Sequence, residues 1–167
     1  MMKAHPAHPR RARGIALFEA LIAVLLLSLS ALAYAALQMR GLSTNSSAMW
    51  RSKAVQLAQE MADRMRANQV GVGAGAYQNL LAPAAAPVCG VGSACTPTQV
   101  AKADYSAWSA EIALALPGGT GIVCLDGTPD DGSAAAPACD GAAGTYAIKL
   151  FWTERGVDSR VAMELRP

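Results

Sequence analysis

Apolar positions change their spacing along this chain, and each change predicts a different element. From Ile15 to Leu37 nearly every side chain is apolar, with only Glu19, Ser28 and Ser30 strongly polar. About 23 helical residues at 1.5 Å each reach roughly 35 Å, enough to cross a hydrocarbon core of about 30 Å. From Ser43 to Asn68 there is neither proline nor glycine, and Ala54, Leu57, Ala58, Met61, Ala62 and Met65 recur at three- and four-residue spacing. That spacing draws one apolar stripe along a helix. The pattern therefore predicts a single helix of about 50 residues, apolar all round at first and amphipathic afterwards. Gly41 is its weak point, at about 1 kcal/mol against alanine, and a bend or local melting is expected there. Asn68 and the glycines at 71, 73 and 75 end it.

Beyond the helix, Gly71 to Ala86 is rich in glycine and alanine and reads as a mobile loop. Pro97 to Ala115 is predicted to be a shorter helix. Thr96 or Thr98 is placed to cap it, Pro97 suits its first turn, and Tyr105, Trp108, Ile112 and Leu116 share a face. Leu116-Pro117-Gly118-Gly119 stops it. Strands are predicted at Gly121 to Leu125, Thr145 to Thr153 and Arg160 to Arg166. In the second, Tyr146, Ile148, Leu150 and Trp152 alternate with Ala147, Lys149 and Phe151. Glu154 to Ser159 is read as the hairpin loop joining the last two strands. The fold class is thus α+β, a long N-terminal helix packed on a small antiparallel β-sheet, with Trp50 and Trp152 assigned to the core.

Charge separates the first residues from the rest. Met1 to Gly14 contains Lys3, Arg10, Arg11, Arg13 and both histidines, and no acidic residue. Such a segment stays on the cytoplasmic side of a membrane. Without it, ten basic side chains face twelve acidic ones, a net side-chain charge of −2. The basic character belongs to the leader, and no strongly basic patch argues for nucleic-acid binding, a question the sequence leaves open. Loss of the leader also removes both histidines, so Ser-His and Cys-His nucleophile activation are unavailable and no enzyme or cofactor is expected. Asp126, Asp130, Asp131 and Asp140 lack an EF-hand ligand pattern. The Gly, Pro and Ser residues around them predict a solvated turn.

The four cysteines all lie beyond the apolar run, which suits an oxidising compartment. Three connectivities are open to Cys89, Cys95, Cys124 and Cys139. Pairing Cys89 with Cys95 and Cys124 with Cys139 closes two local loops made of turn formers, and this pairing is expected. Metal binding is not, since the histidines lie in the leader and neither cysteine pair has the tight spacing of a zinc site. A disulfide closing a loop of about 15 residues contributes roughly 3 kcal/mol to a small domain.

Glu19 requires its own explanation, because a charge at mid-membrane costs on the order of 2.5 to 3.5 kcal/mol. Three readings of the segment compete. One is a secretory signal cut near Ala31-Leu32-Ala33 or Ala33-Tyr34-Ala35, another an uncleaved anchor. The third is a cut after Gly14 that retains the apolar run with Glu19 as its fifth residue. Here Arg13-Gly14-Ile15-Ala16-Leu17-Phe18-Glu19 resembles the class III signal of type IV pilins and pseudopilins. The usual sequence after the glycine is Phe-Thr-Leu-Ile-Glu. Gly14, Leu17 and Glu19 match, whereas Ile15, Ala16 and Phe18 depart. The resemblance implies cleavage after Gly14 by a prepilin peptidase and methylation of the Ile15 amine. It also implies that Glu19 pairs with the Ile15 amine of a neighbouring subunit or with its own.

A longer stretch narrows the family. Leu57-Ala58-Gln59-Glu60-Met61-Ala62-Asp63-Arg64-Met65-Arg66-Ala67-Asn68 resembles the run in minor pilins of the PilV type, the type IV pilus modification proteins. Cys95-Thr96-Pro97-Thr98-Gln99 and Leu116-Pro117-Gly118-Gly119 are similar to that family as well. The resemblance implies a pilin-like fold and four regions. These are a leader (1–14), a transmembrane and filament-core helix (15–40), its amphipathic continuation (41–69) and a disulfide-containing periplasmic head (70–167). It implies a non-enzymatic minor pilin that acts in initiation, tip formation or modification of a type IV pilus. Such a protein is held in the inner membrane before it enters the extracellular filament. Its implied partners are the prepilin peptidase, other minor pilins, the major pilin and the inner-membrane assembly platform. A type II secretion pseudopilin and a membrane-anchored adhesin or DNA-binding module are the alternatives.

Overall fold

The computed structural model describes residues 13–87, 94–142 and 144–166, with side chains from Ile15 onward. Helix α1 (Arg13–Ala67) is 55 residues long. The chain divides into two units between Asn45 and Ser46.

In the first unit the helix is exposed along its length. Its most apolar 18-residue window has a mean hydropathy of 2.5, and 0% of that window is buried. The polar exceptions are answered locally, as Ser28 Oγ donates to the Leu25 carbonyl at 2.8 Å and Ser30 Oγ to the Leu26 carbonyl at 2.7 Å. These back-bonds give the two serine hydroxyls partners within the helix. At Gly41, where the sequence predicts a bend or melting, α1 continues as helix. A single glycine costs about 1 kcal/mol, too little to interrupt a helix of this length.

The second unit contains the rest of α1 and then α2 (Gln69–Gly73), β1 (Asn79–Leu80), α3 (Pro97–Ala115), β2 (Thr120–Leu125), β3 (Tyr146–Glu154) and β4 (Val157–Leu165). The strands form one sheet in the order β1-β2-β3-β4, antiparallel throughout. Its longest hairpin is tighter than the sequence predicts. Glu154 pairs with Val157, so the turn is only Arg155-Gly156, and both residues have positive φ, 51° and 79°. That is the backbone of a type I′ turn, whose twist matches that of the strands it joins. Strand β4 therefore starts at Val157.

One face of the sheet meets the helices. The stripe Ala54, Leu57, Ala58, Met61, Ala62 and Met65 is buried against Tyr105, Trp108, Ile112 and Leu116, and against Val123, Tyr146, Ile148, Leu150 and Trp152. Trp50 packs at the edge, partly buried. Three polar tips are satisfied within this core. Trp108 Nε1 donates to the Leu57 carbonyl at 2.7 Å, Tyr105 Oη to the Gly121 carbonyl at 2.8 Å, and Tyr146 Oη to the Val72 carbonyl at 3.1 Å. Gly121 is needed here because a Cβ on it would meet the Trp108 ring at 2.5 Å. Helix α3 begins with a capping box: Thr96 Oγ1 accepts from Gln99 N while Gln99 Oε1 accepts from Thr96 N.

The stretch read as a mobile loop, Gly71 to Ala86, is largely structured through Leu80. Asn68 caps α2 through Gly71 N, Tyr77 is fully buried, and β1 pairs with β2. Tyr77 Oη donates to Asp104 on α3 at 3.2 Å and accepts from Asn68 Nδ2 at 3.1 Å. One buried aromatic thus organises a segment whose glycine and alanine content suggests a loop.

The opposite face of the sheet is covered by the segment between β2 and β3. Ile122, Cys124 and Phe151 form a second apolar cluster with Cys139 against it. Cys124 and Cys139 are disulfide-bonded, with their Cα atoms 6.1 Å apart.

Candidate functional site

Gly14, Ile15 and Glu19 lie within the first two turns of α1. Ile15 and Glu19 are four residues apart and so share a helix face. Both are exposed, as are Leu17, Phe18, Leu21 and Ile22 around them. The helix brings one carboxylate onto an otherwise apolar surface, with no partner for that surface among the described residues. Such a surface is suited to a lipid or protein environment, where an unpaired carboxylate is costly and a positive group is its natural partner.

Cys95 is disulfide-bonded. The expected pairing of Cys95 with Cys89 turns on a residue outside the described ones. Among the described residues, no group of three or more His, Cys, Asp or Glu side chains is placed to hold a metal ion.

The acidic residues after β2 are arranged differently from a solvated turn. Asp126 is fully buried and pairs with Lys149, itself buried in β3. Lys149 Nζ also donates to Asp131 Oδ1 and to the Pro137 carbonyl, each at 2.7 Å. Burial alone pulls the Lys149 ammonium toward neutrality, but hydrogen bonds and charge from Asp126 and Asp131 outweigh it and raise its pKa. The hydrogen bond from Lys149 in turn holds the Asp131 carboxyl below its usual range. Nearby, Arg160 Nε donates to Asp130 Oδ1 at 3.0 Å, and Asp140 Oδ1 accepts from Gly127 N and Ala142 N. The turn formers hold the loop's shape, but a lysine in the neighbouring strand decides the fate of its carboxylates. The available signal was a lone lysine alternating with Ala147 and Phe151 in a stretch, Tyr146 to Trp152, whose other residues are apolar.

At the start of the second unit, Glu154 accepts hydrogen bonds from Ser47 Oγ and Trp152 Nε1, each at 2.5 Å. The Ser47 bond, followed by that from Trp152, lowers the Glu154 pKa. These contacts fasten the β3–β4 hairpin to the helix beside it.

A family model described as Tt1218-like, type IV pilin Tt1218, matches residues 36–106. The match supports a type IV pilin. It takes in the last apolar turns of α1, the whole amphipathic stripe, α2, β1 and the first half of α3. A pilin assignment points to a structural, non-enzymatic protein that associates with other pilins and the pilus machinery, and the long apolar helix fits a membrane-anchored pilin. No curated protein and no solved structure matches the chain.

Proposed function

We propose that the chain is a minor pilin of the PilV type, which acts in initiation, tip formation or modification of a type IV pilus. The prepilin peptidase removes residues 1–14 and methylates Ile15. The mature subunit waits in the inner membrane with its head in the periplasm, then transfers α1 into the filament core. The observation that carries this reading is the exposed apolar start of α1 with Glu19 on its surface, joined to a head whose adjoining residues match a type IV pilin model. In the membrane, Glu19 gains most from a partner that is itself positive and fixed in place. The Ile15 amine of a docked neighbour is such a group, and it sets the register in which the new subunit enters. The PilV-like string at 57–68 and the disulfide-bearing head favour the pilus over a secretion pseudopilus.

A deletion strain tests this reading: surface pili and twitching are lost and type II secretion is intact. Lost secretion with normal pili would assign the chain to the pseudopilus. Normal pili with impaired adhesion or DNA uptake would make it a binding module. Within the same strain, Glu19→Ala leaves removal of residues 1–14 intact and lowers the amount of the protein in sheared filaments. Unchanged incorporation would remove Glu19 from assembly.

A further inference from the structure

Four oxygens converge on the ammonium of Lys149, and all of them come from the segment that follows β2. Nζ donates to Asp131 Oδ1 and the Pro137 carbonyl, each at 2.7 Å, and more loosely to the Asp131 carbonyl at 3.4 Å. It also forms an ion pair with Asp126 Oδ2, where the side chains of Lys149 and Asp126 are 1% and 0% exposed. Asp126 Oδ2 has no partner among the described residues other than this ammonium. Two carboxylates and two carbonyls around one buried positive charge form the donor set of a hard divalent cation. Arg160, the other cation near this segment, is occupied by Asp130.

We propose that Lys149 is a built-in cation. Its ammonium takes the place of a divalent metal ion, so that the segment from Asp126 to Ala142 folds over the sheet without metal. The same oxygens become a calcium site when the ammonium is withdrawn. Calcium takes six to eight oxygens at about 2.3 to 2.6 Å, with water completing the shell. The two oxygens now at 2.7 Å from Nζ need move only slightly to meet that range. Lys149→Ala vacates the position, because alanine ends at Cβ and leaves the space of the lysine stem for the ion and its waters.

The test is elastase digestion of the full-length chain in detergent, in EDTA and in calcium, with nicking at Ala134-Ala135-Ala136 read after reduction. The unaltered protein is nicked slowly and equally in both media. Lys149→Ala is nicked about tenfold faster or more in EDTA, as a locally opened segment is, and calcium restores the slow rate. Faster nicking of the unaltered protein in EDTA than in calcium would overturn the proposal. So would a Lys149→Ala protein as resistant in EDTA as the unaltered one, or one nicked fast in both media with its tryptophan fluorescence unchanged. Asp131→Ala, at a half-exposed position, is the second variant should Lys149→Ala fail to fold. It retains the ammonium and loses a donor, so it is nicked faster in EDTA and calcium gives no protection. Unchanged nicking, or protection by calcium, would overturn the proposal.

Discussion

Tyr77 shows how much one side chain decides in a small domain. It is fully buried at the junction of α1, α2 and α3, and its hydroxyl links Asn68 to Asp104. Burial pushes its pKa to about 12; the Asp104 charge and hydrogen bond add to this, and the Asn68 hydrogen bond opposes it. A tyrosine whose folded pKa exceeds its unfolded value of about 10 stabilises the fold fully below pH 10 and loses that contribution as pH rises through its folded pKa. Urea unfolding of the full-length protein in detergent is therefore expected to show stability falling by on the order of 1 to 2 kcal/mol between about pH 9 and pH 11. Tyr77→Phe should reduce that slope; an identical slope would remove Tyr77 from the linkage. Nothing in the glycine- and alanine-rich surroundings of Tyr77 reveals this burial, because periodicity needs several apolar positions and here there is one. Lys149 was illegible for the related reason that a charged residue in an alternating strand reads as solvent-facing until its counter-ions are located.

The elements with strong local signals were legible before the structure. The apolar stripe from Ala54 to Met65 marks the buried face of α1, and α3 begins and ends at Pro97 and Ala115 as its caps and breakers predict. The antiparallel sheet followed from the alternation in β3 and the short strands read on either side of it. Two features escaped, the two-residue β1 and the exact closure of the hairpin. β1 is too short to carry a period, and Arg155 adopts positive φ without being the usual glycine or asparagine. The N-terminal box of α3 gives a direct test at this scale. Thr96→Ala removes the hydroxyl that accepts from Gln99 N and is expected to cost about 1 kcal/mol in chemical denaturation. Thr96→Ser, which keeps the acceptor, should recover most of that loss.

At the scale of the whole molecule, two kinds of surface are joined in one chain. Residues from Ile15 into the fourth decade expose an apolar helix whose polar exceptions are Glu19 and two self-bonded serines, whereas the unit from Ser46 onward buries its own core on both faces of its sheet. A subunit of this kind gains stability for its first half only from a membrane or from other subunits. The family resemblance at Gly14 to Glu19 could be read from sequence alone, and so could the longer string at 57–68. What the head recognises was not legible, because among the described residues its loops carry ion pairs and turns and no group placed to hold a metal ion. Residues 15–37 are expected to persist in the mature subunit as an assembly helix freed by one cut. Intact-mass spectrometry of the chain recovered from membranes and sheared pili tests it most directly. The mass of a chain beginning at Ile15, carrying one added methyl group, is the predicted result, and a chain beginning at Met1 or at Ala36 would contradict it.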